Sequence, residues 1–342
     1  MVVIPVFNLN IKSYKGEYSV SFIDVIPMPI DDIIVIDSNV YDIFYKDKEL
    51  NSSKLFIVDA NEHNKTLDQS KKLLDFLIDN EFNKSKKIVA IGGGIIQDIV
   101  SFTSSILFRG IDWKFYPTTL LAQCDSCIGS KTSINYKKYK NLLGGFHPPK
   151  KILIWNGFLK TLEDKDIKSG IGEMLHYFLL NHKLDISEKL VNDEDVVGNI
   201  NQYIHESLSI KKKIIEKDEF DKGERNLFNY GHTFGHAIET LSGYEINHGQ
   251  AVTMGMIIAN RISLRNNMIS KEFHDKLFDI LNKNKPDYRI NSIDEYISCL
   301  KKDKKNVNDE LTCILLNEEY GERTQINYDE IKEIYLKHLS NY

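Results

Sequence analysis

The residues best suited to chemistry lie in the second half of the chain. His232 and His236, in NYGHTFGHAIE, stand four apart and so share one face of an expected helix. Glu173 and His176, in SGIGEMLHY, are three apart, and His248 stands out in INHGQAV. Two imidazoles and a carboxylate around a divalent ion, with one position left open, make a catalytic zinc arrangement. Read from spacing alone, His232 with His236 and Glu173 with His176 are the candidate ligand pairs. A single helical histidine is more often packed or solvated than ligating, so no one of them decides the matter. A Glu-x-x-His on one helix also suits a carboxylate-bridged di-iron bundle. That arrangement needs the pair repeated on a second helix, and no second one lies nearby.

The first half offers a different chemistry. A strand-like run, Lys87–Ile91, ends in Gly92-Gly93-Gly94 and leads into a helical segment that carries Asp98. Glycines let a backbone turn sharply and approach an anion closely. The helix start adds unpaired N–H groups and the positive end of its dipole. The spacing is not the G-x-G-x-x-G dinucleotide fingerprint, and the plain alternative is a turn that only reverses the chain. Cys124 and Cys127 form one C-x-x-C with no second pair to complete a zinc site.

The elements that must position these residues follow from periodicity. Asp32–Ile36, Lys54–Val58, Lys87–Ile91 and Trp113–Tyr116 are short β-branched or aromatic runs, and Asn64–Asn80 and Ile95–Leu107 have helical spacing. Such β/α alternation predicts a parallel, doubly wound sheet. After about Leu153 long amphipathic segments follow, broken at Gly172, Gly198, Gly223, Gly231 and Gly243, with Thr312–Leu316 as the one later strand-like run. That part reads as a mainly helical second domain.

The bulk properties agree with an enzyme of this kind. The 342 residues suffice for two domains, and 42% hydrophobic with 27% charged residues is ordinary for a globular protein. A net charge of −5 gives no basic face for nucleic acid. The opening MVVIPVFNLN does not resemble a signal peptide, and no apolar run reaches the ~20 residues that span a bilayer. A cytoplasmic protein without membrane contact is expected.

Several ordered motifs together carry a family resemblance. Arg109–Ile154 (RGIDWKFYPTTLLAQCDSCIGSKTSINYKKYKNLLGGFHPPKKILI) and Glu224–Met256 (ERNLFNYGHTFGHAIETLSGYEINHGQAVTMGM) resemble segments of 3-dehydroquinate synthases, as do the SGIGE around Glu173 and the late Asp303-Lys304-Lys305. The resemblance implies an α/β N-terminal Rossmann-like NAD-binding domain over residues 1–153 and a mainly α-helical C-terminal metal- and substrate-binding domain over 154–342. It implies Glu173, His232 and His248 as ligands of one zinc or cobalt ion, which moves His236 from ligand to substrate contact. Asp37, Glu62, Lys65, Gly93, Gly94, Asp98, Thr118 and Thr119 match NAD-site positions. Asp125, Lys131, Lys140, Asn141, Lys211, Arg225 and Asn229 match the substrate pocket, with Lys304 beside them. Arg109 matches a residue that the family donates across a homodimer interface.

These types suit a phosphorylated sugar acid. Lys131, Asn141, Asn229, His236 and Lys304 offer a phosphate charged and neutral donors. Arg225 brings a planar fork for a carboxylate, and Lys211 a point charge. In such enzymes a substrate hydroxyl is transiently oxidised, phosphate is eliminated, the hydride returns and an intramolecular aldol closes the ring. The metal acts as a Lewis acid, and no net redox change results.

Two positions depart from the family pattern. His176 replaces a lysine that contacts substrate; a histidine there either accepts from a hydroxyl or turns to the metal. Gln97 replaces the glycine before Asp98, and either crowds the pyrophosphate or hydrogen-bonds to it. A sibling cyclase acting on sedoheptulose 7-phosphate or glucose 6-phosphate is therefore an alternative. Others are a metal-dependent dehydrogenase of the glycerol dehydrogenase type and a degenerate, non-catalytic homologue. Retention of Arg225 and Lys211 favours an acidic substrate.

Overall fold

The computed structural model describes residues 7–29, 33–51, 54–137, 139–301 and 310–334. The chain forms two compact units: the residues up to Leu162 together with Ile200–Phe220, and Glu163–Asn199 together with the residues from Asp221 on. Among the described residues no helix is long and apolar enough to cross a membrane.

The first unit is built on a seven-stranded sheet. In chain order its strands are β1 (Asn8–Ser13), β2 (Gly16–Phe22), β3 (Ile33–Asp37), β4 (Leu55–Val58), β5 (Ile88–Gly92) and β6 (Trp113–Pro117). A separate hairpin, β7 (Lys131–Tyr136) with β8 (Tyr139–Phe146), precedes the last strand, β9 (Lys151–Ile154). The sheet order is β1-β2-β9-β6-β5-β3-β4, parallel throughout except for the β1–β2 hairpin. Every residue of β5 and Ile33–Ile36 of β3 are buried, as expected of strands covered on both faces. Ile34, Ile36, Val89, Ile91 and Tyr116 pack with Tyr45 and Phe158 into one apolar cluster.

A helical turn, α1 (Ser38–Val40), follows β3; α2 (Leu67–Asp79) joins β4 to β5, and α3 (Gly94–Ile106) follows β5. The chain leaves β3 toward β4 on one side and returns to the other side with β5. The crevice between the carboxyl ends of β3 and β5 is therefore the topological switch point, where open α/β sheets take their ligands.

Past β9, α4 (Asp164–Leu180) and α5 (Leu184–Asn192) begin the second unit, while α6 (Ile200–Ile215) belongs to the first. The second unit continues with α7 (His232–Leu241), α8 (His248–Arg265), α9 (Lys271–Asn282) and α10 (Ile293–Lys301). An antiparallel hairpin, β10 (Glu310–Leu316) with β11 (Gly321–Asn327), and α11 (Tyr328–Ile334) complete it. The expected strand at Thr312–Leu316 thus has a partner, β11, whose polar GERTQIN carries no apolar run that would announce it.

Gly172 does not break a helix. It lies inside α4, at a place where a Cβ would sit 2.0 Å from the Gly249 carbonyl oxygen. A Cβ on Gly249 would in turn sit 1.8 Å from the Ser169 oxygen, and one on Gly255 2.0 Å from the Gly231 oxygen. Helices α4, α7 and α8 therefore meet backbone to backbone. Gly172 and Gly249 neighbour Glu173 and His248 in sequence, and Gly231, whose carbonyl faces Gly255, precedes His232.

Candidate metal centre and nucleotide site

The second unit brings three of the sequence candidates together. Glu173 projects from the middle of α4, His232 opens α7 and His248 opens α8. One ligand atom from each lies within 4.8 Å of the others. Glu173 Oε1 is 3.0 Å from His248 Nε2 and 3.4 Å from His232 Nε2, and the glutamate is 2% exposed. Neither contact has hydrogen-bond geometry, and Glu173 Oε1 is buried with no hydrogen-bond partner. Three lone-pair donors aimed at one point fit a divalent cation, and two histidines with a carboxylate form a zinc- or cobalt-type set.

The outer nitrogens are oriented as metal-ligating histidines require. His248 Nδ1 lies 3.1 Å from Glu239 Oε2, and His232 Nδ1 lies 3.2 Å from the Tyr230 carbonyl. Both contacts leave Nε2 facing Glu173. Burial lowers the His248 pKa, but the Glu173 and Glu239 carboxylates outweigh it and push the imidazole up to about 10. Burial also works against the Glu173 anion, yet its histidine neighbours hold the carboxyl well below its usual range.

His236 does not join the set. It is exposed one turn along α7, its ring centroid 5.5 Å from both His232 and His248. The pairing of His232 with His236 that spacing suggested is thereby replaced by one between helix starts. His176, fully buried, is also outside the set: its Nδ1 is 4.0 Å from Glu173 Oε2. Its ring stacks on Tyr230 at 6.2 Å and meets His232, Tyr177 and Phe228 edge-on. Arg225, 5% exposed, and Asn229 lie on the turn Glu224–Asn229 of the same unit. Lys304, with its neighbours Asp303 and Lys305, falls outside the described residues.

The first unit gathers the other candidates. Asp37 ends β3 and accepts from Asn39 N at 2.9 Å; burial pushes its carboxyl pKa up. Gly93 and Gly94 lie at the adjoining end of β5, so both sides of the switch point carry expected NAD-site residues. A Cβ on Gly94 would meet nothing within 4 Å, which leaves room beside the helix start for a phosphate. Thr118 and Thr119 follow β6; Thr118 N donates to Gly92 O at 3.0 Å, and Thr119 packs against Gly93. The room and the donors suit a nucleotide.

Further residues are tied into one network. Lys65 Nζ is 2.6 Å from Asp98 Oδ2 and 2.6 Å from Asn141 Oδ1. Ser133 N donates to Asp98 at 3.0 Å. Asn135 Nδ2 donates to Glu62 Oε1 at 2.7 Å, while its own Oδ1 accepts from Asn141 N at 2.9 Å. Lys140 Nζ is 4.0 Å from Glu62. Burial pushes the Asp98 carboxyl pKa up and outweighs the pull of Lys65. Lys131, exposed, starts β7. Asp125 accepts from Lys211 Nζ through Oδ1 at 2.7 Å and through its carbonyl at 2.8 Å. Arg109 is exposed in a left-handed backbone (φ 65°) beside exposed Phe108 and Ile106.

The groups that spacing did not offer are Glu239, Ser133, Asn135 and the Tyr230 carbonyl, all partners of candidates. Glu239 alone left a signal, as a carboxylate in the HAIET run after Gly235. Gln97, expected to crowd or hydrogen-bond a pyrophosphate, has its amide bonded to Ser126. Cys124 and Cys127 are buried and form no disulfide, and burial pushes the Cys127 thiol up to about 12, so the C-x-x-C packs as an apolar turn.

An α/β unit with a glycine turn at its switch point, and a helical unit whose centre is two histidines and one glutamate, define a two-domain nucleotide- and metal-site fold. The family model described as 3-dehydroquinate synthase N-terminal matches residues 55–169, and its C-terminal counterpart matches 170–306. A 3-dehydroquinate synthase of Clostridium tetani is 35% identical over 321 residues, 89% of this chain and 83% of the relative. A bifunctional 3-dehydroquinate synthase/phosphatase of Fusobacterium nucleatum is 36% identical over 303 residues, 84% of this chain, and this chain spans 45% of its length. Among solved structures, a 2-deoxy-scyllo-inosose synthase complexed with carbaglucose-6-phosphate, NAD+ and Co2+ superposes with a TM-score of 0.83 at 25% identity, covering 96% of this chain and 99% of that one. The chain belongs to the 3-dehydroquinate synthase family of sugar-phosphate cyclases.

Proposed function

We propose that the chain is an NAD- and divalent-metal-dependent cyclase that converts 3-deoxy-D-arabino-heptulosonate 7-phosphate to 3-dehydroquinate and phosphate. The observation that carries this is the Glu173/His232/His248 centre with both imidazoles oriented from behind, in a chain of this family. The same cofactor pair accompanies a sugar-phosphate analogue in the 2-deoxy-scyllo-inosose synthase. Glu173, His232 and His248 hold the metal, and Asp37, Glu62, Lys65, Gly93, Gly94, Asp98, Thr118 and Thr119 serve the dinucleotide. When bound, the metal supplies Lewis acidity and NAD a temporary hydride acceptor. Lys131, Lys140, Asn141, Asn229, His236 and Lys304 bind the phosphate end of the substrate. Arg225, buried and always charged, takes the carboxylate in its planar fork. Lys211, a further substrate contact, is held in place by Asp125 at 2.7 Å. Arg109 serves the neighbouring subunit of a homodimer.

One observation favours a second reading. The family's lysine is replaced by His176, which is fully buried among aromatic rings, so the lysine expected at the substrate is absent. A sibling cyclase with a different sugar phosphate would explain that. The test is to incubate the metal-loaded protein and NAD with 3-deoxy-D-arabino-heptulosonate 7-phosphate, sedoheptulose 7-phosphate and glucose 6-phosphate in turn. Phosphate release from the first alone, with no NADH accumulating, is the expected result. Release from one of the others only would overturn the substrate assignment and leave the cyclase assignment standing. NADH accumulation without phosphate would overturn both in favour of a dehydrogenase.

A further inference from the structure

We infer that Gln97 is a positioning residue for the Asp125–Lys211 pair. The side chain is 6% exposed and spans from α3 to the helical turn Ala122–Ser126. Gln97 Nε2 donates to the Ser126 carbonyl at 2.6 Å, and Ser126 Oγ donates back to Gln97 Oε1 at 2.6 Å. A primary amide is the group that can give and accept at once in this way. The residue next to Ser126 is Asp125, which holds Lys211 through two bonds of 2.7 and 2.8 Å. The same turn is fixed from α6 by Ser207 Oγ, 2.9 Å from the Cys124 carbonyl, and from below by Gln123 Nε2 on the Pro117 and Trp155 carbonyls. Gln97 supplies the hold from α3. A glycine, which the family resemblance leads one to expect here, has no side chain to supply it. In this chain the helix that starts at the glycine turn is thereby locked to the Asp125 turn.

The inference rests on the proposed function only in taking Asp125 and Lys211 as substrate-facing. Its test compares Gln97→Gly and Gln97→Ala with the unmodified metal-loaded protein in three assays. These are phosphate release from 3-deoxy-D-arabino-heptulosonate 7-phosphate, NAD titration, and rates of thiol modification read site by site by mass spectrometry. Cys124 lies in the turn and Cys127 follows it, with 0% and 1% exposure, and Cys313 in the second unit serves as internal control. The expected result is a kcat/KM about tenfold lower with NAD affinity little changed, as a small misplacement of substrate-facing groups costs turnover of that substrate and leaves the dinucleotide site alone. Cys124 and Cys127 should react several-fold faster while Cys313 does not. Unchanged kcat/KM with unchanged thiol rates overturns the inference. Equal acceleration at all three cysteines, with a lowered Tm, also overturns it by showing a merely structural role. If the unmodified protein turns over none of the sugar phosphates, the proposed function has failed, and the thiol rates alone decide whether Gln97 holds the turn.

Discussion

A carboxylate 3.1 Å from His248 Nδ1 acts on that imidazole in two ways. It fixes the ring so that Nε2 faces Glu173, and its charge makes Nε2 a better donor. Glu239→Ala removes both effects and leaves all three ligands in place. Metal affinity should fall by about 10–100-fold, whereas Glu239→Gln, which can still accept, should lose less. Titration against a chromophoric chelator measures this, and equal affinity in the three proteins would remove Glu239 from the site. The residue scale is also where the sequence was least sufficient. Helical periodicity offers His232 with His236, because four residues make one turn. The structure uses His232 with His248 and Glu173, each on a different helix. Only the family motifs carried that triad; spacing cannot report on residues 59 or 75 positions apart in the chain (232 − 173 and 248 − 173).

At the scale of elements, the three ligands can meet only because α4, α7 and α8 approach through glycine. Gly172→Ala places a methyl 2.0 Å from the Gly249 oxygen, far inside van der Waals contact, and the obstacle is backbone that cannot rotate away. The helices must part, at a cost of about 1–3 kcal/mol or more, and the parting moves Glu173 away from His248. A lowered Tm together with reduced metal retention after dialysis is expected. Full metal content with an unchanged Tm would show that the crossing tolerates a methyl. The same elements explain what was readable. β3 and β5 announce themselves because a strand buried on both faces is a nearly continuous apolar run, and β6 does so through its aromatic residues despite Lys114. The β7–β8 hairpin does not, since its KTSINY and YKNLLGGF mix lysine, asparagine and glycine among a few apolar residues. Gly172 was legible as a glycine but not as a close contact, because a break and a helix crossing want the same residue.

The whole molecule folds as two units whose sequences interleave. Amphipathic periodicity identifies α6 as a helix with one apolar face but does not say which core that face joins, and α6 belongs with the first unit. The proposed homodimer also belongs to this scale. Arg109 is exposed in a left-handed backbone between Phe108 and Gly110, with Phe108 and Ile106 44% and 48% exposed beside it. Donation of Arg109 across a two-fold interface makes a specific prediction by complementation. Arg109→Ala and His248→Ala should each abolish activity as homodimers. Co-expressed, they should form heterodimers in about half of the population, each with one intact site, so about a quarter of the unmodified activity returns. Within such a heterodimer the intact site takes His248 from one chain and Arg109 from the other. If Arg109 instead served its own chain, every site in the mixture would lack one group or the other and no activity would return. Size-exclusion chromatography at the assay concentration decides the remaining case: a monomer there, with no recovery, would remove both the dimer and the donated arginine.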